Sequence, residues 1–507
     1  MNKPNAKKIG VLLSYTSLVV GCLIHFFYNS YMLRALGESE HGIYSLANSF
    51  AGYLTLLGLG MTSAYIRFQS PLVVQKKEGE IPALNGLFLI MYSIMAIVAV
   101  GIGFILSNNV ELIFQENLTP QERSLAKTLV LIMSVNIALS FPTNIFTSLV
   151  SAHEEFVFQR LVELSRTILN PCVGFLLLAM GYRSVSISVL ALVLTVLGLA
   201  VNIYFCLRIL KERFSFRNVK WGMLRQIFSY SVFIFINQIV NQINWSTDKL
   251  LLGLYVGAAQ ISVYEVASLI NNYYSNISTA IVSVFIPRVH RMAEEQEDNG
   301  ALSDLFIRVG RVQYLIMALI CTVLIFLGRP FFHLFGGEAY AESYYVCLLL
   351  IIPVTIPLIQ NIGIQIQQAR NMHRFRSWVY LGISVINILI SIPLCQRWGA
   401  VGAAAGTAVS LLAGNGVLMN WYYGKKMHLD IKSFWLQILK ISRGILIPSV
   451  FGVIILICVP VCSLWAFIGL TAAYVVLYAV SMWFFGMNVE EKEMVRKPLS
   501  KIGIRLP

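Results

Sequence analysis

The chain has 507 residues, 57% of them hydrophobic and only 12% charged, and its mean hydropathy is +0.72. Soluble domains carry about 25% charged residues, so a soluble globular enzyme is excluded and an all-α integral membrane protein is predicted. The formal net charge of +14 is scattered over many connections instead of forming one patch, which argues against nucleic acid as a partner.

Fourteen apolar stretches are long enough to cross roughly 30 Å of hydrocarbon. In chain order they lie near 10–33, 42–66, 84–106, 125–150, 157–180, 184–207, 226–254, 262–287, 309–328, 343–368, 377–395, 399–424, 444–462 and 464–486. The first holds His25, one turn before Asn29, a candidate for proton coupling. Arg34 and Arg67 stand at the ends of the first two spans. On the fifth, Glu163 and Arg166 are three residues apart, placed either for an internal ion pair or for ion coupling through Glu163.

Span seven carries Asn237, Asn241, Asn244 and Asp248 at i, i+4, i+7, i+11, with Gln238, Gln242, Trp245 and Lys249 beside them at the same spacing. Asp248 and Lys249 are adjacent, so they point about 100° apart and each needs its own partner or water. In span eight, Glu265, Ser268, Asn272, Asn276, Thr279 and Ser283 follow one face, and Glu265, the carboxylate of that stripe, is a second candidate for binding H+ or Na+. Span ten shows Asn361, Gln365 and Gln368, flanked by Gln360 and Gln367. Single amides in a membrane helix usually bond to a neighbouring helix. Three wide stripes hold more amides than can pair with one another, which favours a water-filled cavity. Amides with a Trp suit sugar hydroxyls and pyranose faces.

Arg288, Arg311 and Arg370 lie at the ends of the eighth to tenth spans. Each alone reads as an interfacial anchor; with Arg34 and Arg67, at the mouth of a polar cavity, they would suit a diphosphate, which Arg binds bidentately. Counted over alternate connections, one side holds thirty Lys and Arg and the other seven, with Arg166 inside a span. By the positive-inside rule both termini are then cytoplasmic.

The chain also repeats itself. Gly37, Ile43, Tyr44 and Ala47 recur as Gly257, Val263, Tyr264 and Ala267, 220 residues on, and Asn144, Ala152 and Asn170 recur as Asn361, Ala369 and Asn387, 217 on. Six spans precede the second copy, so both copies enter the membrane from one side and are parallel repeats, an arrangement that points to a transporter. The predicted organisation is a six-helix lobe over 1–217, a second over 218–430, a central cavity, and helices thirteen and fourteen with a polar tail over 431–507.

All eight cysteines fall in predicted spans, where thiols pack as small hydrophobes. No metal-ligand cluster, P-loop, HExxH or GxSxG occurs, so neither a bound metal nor an enzyme is expected.

The segment RALGESEHGIYSLANSFAGYLTLLGLGMTSAYIRF (34–68) resembles the R-x-LG-x-x-x-x-G-x-Y-x-x-A signature of Wzx-type polysaccharide repeat-unit flippases. NQINWSTDKLLLGLYVGAAQISVYEVA (241–267) is similar to their second-lobe counterpart, and WGAVGAAAGTAVS (398–410) to the start of their twelfth span. The resemblance implies membership of the multidrug/oligosaccharidyl-lipid/polysaccharide exporter superfamily. It further implies alternating-access transfer of a polyprenyl-diphosphate-linked glycan across the bacterial inner membrane, for polysaccharides such as O-antigen or capsule. Membrane lipid, a polysaccharide polymerase and chain-length proteins are the partners to expect. A lipid II flippase, a cation-coupled multidrug exporter and a membrane glycan polymerase or ligase are the competing expectations. A polymerase or ligase usually has a large external loop, and no external connection here exceeds about twenty residues.

Overall fold

The computed structural model describes residues 3–75, 77–114, 117–217, 222–295, 299–370, 372–458 and 463–501, but not the side chains of 3–20, 22, 23, 78, 230, 233, 234, 236, 237, 241, 373, 374, 495 and 497–501. Among the described residues the chain is helical and has no strand. It divides into two compact units, Met1–Ser262 and Val263–Pro507. The lobe boundary predicted at 217/218 lies earlier in the chain than this division of the packing.

The first unit contains α1 (Lys3–Thr55), α2 (Met61–Val74), α3 (Ile81–Ile113), α4 (Pro120–Ala152), α5 (Phe156–Ala179), α6 (Ser184–Tyr204) and α7 (Met223–Tyr255). At 53 residues α1 would run about 80 Å if straight, well over two hydrocarbon thicknesses. It is broken at Gly37, whose φ of 77° suits glycine, and the break falls between the first two predicted spans. The start of α4 is fixed by a capping box: Thr119 Oγ1 accepts from the Glu122 amide at 3.3 Å, and Glu122 Oε2 accepts from the Thr119 amide at 2.8 Å.

The first unit's core lies where α2, α3 and α4 meet, around Tyr65, Phe88, Tyr92, Phe141, Ile145 and Leu149. Helices α3 and α4 approach closely because Gly103 faces Ser134: a Cβ at 103 would lie 2.2 Å from Ser134 Cβ. Gly103→Val is therefore expected to destabilise the protein by about 1–3 kcal/mol through overpacking. Thermal unfolding of the purified protein in detergent checks this, and an unchanged midpoint would show that the two helices are free to part. The outward side of α3, with Ile97, Ile102, Phe104 and Ile105 exposed, has the apolar surface that lipid requires.

The break between units falls within α8 (Ala258–Ser283). The second unit continues through α9 (Ile286–Glu294), α10 (Asn299–Gly336), α11 (Ser343–Ile359), α12 (Asn361–Ala369), α13 (His373–Leu411), α14 (Asn420–Lys425), α15 (Ile431–Ser442), α16 (Leu446–Cys458), α17 (Leu464–Ser481) and α18 (Val489–Lys501). Like α1, α13 is broken in its middle, at Trp398 and Gly399, which separates the eleventh and twelfth predicted spans. Its second half packs tightly on its first: a Cβ at Gly402 would lie 1.9 Å from the Leu394 carbonyl oxygen.

The backbone breaks recur with the period of the repeat. Gly37 and Gly257 both take positive φ, and so do Gly181 and Gly399, 218 residues apart. Widened π-helical turns follow α6 at Phe205–Ile209 and α13 at Leu412–Met419. Nine helical stretches among the described residues are long and apolar enough to cross a membrane, one of them the 51-residue run Phe375–Lys425. α8 is not among them, since Asn271, Asn272 and Asn276 lower its hydropathy.

Candidate functional site

Helix α8 presents two polar faces, and the structure uses them differently. On one, Tyr274 donates to the Met317 carbonyl at 3.1 Å and meets Thr355 Oγ1 at 2.7 Å, while Ser278 donates to the Leu358 carbonyl at 3.0 Å. These are interhelical bonds within the second unit. The other face begins with the partly buried Glu265 and the buried Ser268, then opens: Asn272, Asn276, Thr279 and Ser283 are all accessible. Accessible amides at this spacing cannot be left to hydrocarbon, where an unsatisfied polar group costs several kcal/mol. Thr279 and Ser283 donate to the Ser275 and Ala280 carbonyls of their own helix at 3.1 and 2.7 Å, so it is Asn272 and Asn276 that have to meet water or a polar ligand.

The amides of span ten gather at the break between α11 and α12. Asn361 Nδ2 lies 3.5 Å from Ser278 Oγ, and the fully buried Gln313 donates to the same hydroxyl at 2.9 Å. Gln360 donates to Asn420 Oδ1 at 2.8 Å. Of this group Gln368 is accessible, Gln365 is half-buried, and Gln367 is buried. Asn361 therefore belongs to the packed side, while Gln368, on α12, is accessible.

Of the span-seven stripe, the side chains of Asn237 and Asn241 lie outside the described residues. Asn244 and Lys249 are half-buried, Asp248 is buried, and all three are engaged with neighbours. Beside them Gln242 donates to Ser246 at 2.9 Å, and its amide sits where a side chain at Gly52 would fall. One turn on, Tyr53 and Thr247 share a 2.7 Å hydrogen bond, and at the next contact His41 Nδ1 meets Ser262 Oγ at 2.7 Å. This part of the predicted cavity lining is a seam joining α1 to α7 and the start of α8. Sequence reading missed Tyr53 and His41, although His41, Ser45, Ser49 and Tyr53 recur at i, i+4, i+8, i+12 on α1 and that spacing could have disclosed them. It also missed Ser63 and Ser70, which with Arg67 make an accessible i, i+4, i+7 face on α2 that the spacing could have disclosed.

The predicted cationic residues differ in exposure and in what holds them. Arg34, Arg67 and Arg288 are accessible and Arg370 is half-buried. Arg34 precedes the break in α1 and Arg67 lies on α2. Arg311 is buried and committed: Nε and Nη2 donate to Glu491 at 2.6 and 2.9 Å, Nη1 to Gln437 Oε1 at 2.9 Å, and Nη2 to the Gly486 carbonyl at 3.2 Å. It ties α10 to α15 and α18.

The Glu163–Arg166 ion pair is corrected. Glu163 pairs with Arg160 at 2.5 Å at the accessible start of α5, and Arg166 donates to Thr195 at 2.9 Å. Arg160 is the equally spaced partner on the other side, and both side chains of the pair are accessible. His25 Nδ1 meets the Gly21 carbonyl at 2.9 Å, a local helix bond. Among the described residues no group of three His, Cys, Asp or Glu side chains could hold a metal. A cavity of about 360 Å³ in the first unit, lined by Leu72, Glu80, Leu84, Leu87 and Met223, contains none of the predicted site residues.

Residues 6–293 match the family described as polysaccharide biosynthesis protein. A Haloferax volcanii protein named as a low-salt glycan biosynthesis flippase is 24% identical over 282 residues, 55% of this chain and 57% of the relative, so the chain spans little more than half of that relative's length. A Shigella flexneri protein named as an O-antigen transporter is 18% identical over 408 residues, 78% of this chain and 92% of the relative. Among solved structures, the lipid II flippase MurJ in an inward closed conformation superposes with a TM-score of 0.74 at 18% identity, covering 94% of this chain and 98% of that one. An inward-facing multidrug resistance MATE transporter of the MOP superfamily gives 0.65 at 11% identity, covering 84% and 99%. At such identities the structural likeness shows the fold alone.

Proposed function

Because this chain belongs to the polysaccharide biosynthesis protein family, we propose that it is a flippase for polyprenyl-diphosphate-linked oligosaccharide repeat units. It is a multi-pass helical membrane protein with the fold of the multidrug/oligosaccharidyl-lipid/polysaccharide exporters. In the proposed reaction the cargo passes from the cytoplasmic to the periplasmic leaflet of the bacterial inner membrane by alternating access, and both termini are cytoplasmic.

The observation that carries the reading is the accessible polar face of α8, where Asn272 and Asn276 lie with Thr279 and Ser283 in a chain whose spans are otherwise largely apolar in sequence. Neutral amides and hydroxyls can exchange sugar–water hydrogen bonds for sugar–protein ones at little net cost. The prenyl tail stays in hydrocarbon, where each buried CH₂ is worth about 0.8 kcal/mol. The diphosphate is then the costly part, and the candidates to neutralise it are Arg34, Arg67, Arg288 and Arg370, with Arg311 spent on Glu491. Coupling to H+ or Na+ is assigned to His25 or Glu265, and the polymerase and chain-length proteins act after transfer.

Deleting the gene and measuring lipid-linked oligosaccharides by leaflet tests the reading. Complete repeat units are expected to accumulate on the cytoplasmic side and to clear on re-expression. Accumulated lipid II would reassign the cargo. Unchanged lipids with altered dye efflux would make the protein a drug exporter, and complete units on the periplasmic side would return a polymerase or ligase role.

A further inference from the structure

The connection that joins the two sequence repeats does not hang free at its start; it is laid across the beginning of α3. After α6 the π-helical turn Phe205–Ile209 and a left-handed Lys211, φ 56°, swing the chain back. The Ser215 amide then donates to the Pro82 carbonyl at 2.8 Å. Gly86 permits the approach, since a Cβ there would lie 2.1 Å from the Ser215 carbonyl oxygen.

One side-chain relay fixes this segment. Tyr65 donates to Asn85 Oδ1 at 2.7 Å, and the fully buried Asn85 donates through Nδ2 to Glu212 Oε2 at 3.0 Å and to the Arg213 carbonyl at 3.1 Å. The other carboxylate oxygen, Glu212 Oε1, lies 3.1 Å from His153 Nε2, in the turn between α4 and α5. His153 Nδ1 lies 2.9 Å from the Leu149 carbonyl oxygen. Both ring nitrogens thus face acceptors. A neutral imidazole carries one N–H and can serve only one of them; the imidazolium serves both.

We infer that His153 is a proton-binding site whose charge holds the connection between the repeats against α3. This inference is independent of the cargo. The titratable groups around the site are Glu212 facing the ring, Glu155 in the same turn, and Tyr65 and Cys206 near Glu212. Arg213 turns its side chain outward and offers only its carbonyl. The Glu212 hydrogen bond raises the His153 pKa above its ordinary 6.5; partial burial opposes the rise, and the Leu149 carbonyl and the charges of Glu212 and Glu155 add to it. For a group whose folded pKa is raised, the stabilisation is complete below 6.5 and is lost as pH climbs through the folded value. The connection is therefore clamped at lower pH and released at higher pH.

Hydrogen exchange of residues 210–217 in the full-length protein in nanodiscs, corrected for intrinsic rates, is the test. Protection in the wild type is expected to fall on the order of tenfold as pH rises through the His153 titration. H153Q should be poorly protected at every pH, while H153K, charged throughout, should stay protected without the step. E212Q should abolish the step as well. Identical pH profiles in wild type and H153Q would overturn the proposal. If H153Q fails to fold, titration of the His153 ring by NMR in the wild type decides: a value above 6.5 supports the site, and one at or below it overturns it.

Discussion

Arg311→Leu, with Glu491 left in place, is expected to destabilise the protein by about 3–5 kcal/mol, because it strands a carboxylate in a dry site. The two side chains are 6% and 4% exposed, and their contact is bidentate. Glu491 is doubly committed. It also accepts from the Asn488 amide at 2.9 Å, while its own amide donates to Asn488 Oδ1 at 2.9 Å, closing the start of α18. The double variant R311L/E491L should recover most of the loss, since a buried ion pair replaced by apolar groups of similar volume is often neutral. Thermal unfolding of the three proteins measures this. The pattern matters for function too: if Arg311 is a clamp and not a cargo ligand, the double variant should still transport. A folded double variant with no transport would return Arg311 to the cargo site.

If Arg67 and Arg288 hold the diphosphate as proposed, R67Q/R288Q is expected to cut transport on the order of 10²–10⁴-fold, from about 1.5–3 kcal/mol for each of the two charge-assisted hydrogen bonds lost. Both side chains are accessible, and surface substitutions usually change stability by no more than about 0.5 kcal/mol, so the protein should still fold and reach the membrane. The readout is lipid-linked glycan held in the cytoplasmic leaflet of cells carrying only the variant. R67K/R288K should keep part of the activity, because Lys retains the charge but loses the bidentate fork. Full transport by R67Q/R288Q in normally expressed protein would remove both residues from the diphosphate site. Arg67 and Arg288 are 221 positions apart, close to the repeat spacing that pairs Gly37 with Gly257.

Much of this protein is legible along the chain. Composition and apolar runs determine an all-helical membrane protein, since hydrocarbon offers no partner for an unpaired backbone group. The repeat is marked by Gly37 and Gly257, whose φ of 77° and 132° favour glycine, and the backbone breaks at both. Periodicity also located the α8 stripe. Each of these is a local property, decided within one or two helical turns.

Periodicity does not decide what a polar face meets, because that depends on helices far away in sequence. Ser278 and Thr279 are neighbours, yet one is buried against α10 and α11 while the other stays accessible. Arg311 reads as an interfacial anchor at a span end until α15 and α18 close over it with Gln437 and Glu491, more than a hundred residues on. His153 carries no motif, and only the fold brings Glu212 from beyond α6 to its second nitrogen. The sequence by itself determined the membrane class, the helices and the doubled plan; only the tertiary structure decided which polar groups are spent on holding helices together and which remain accessible to a ligand.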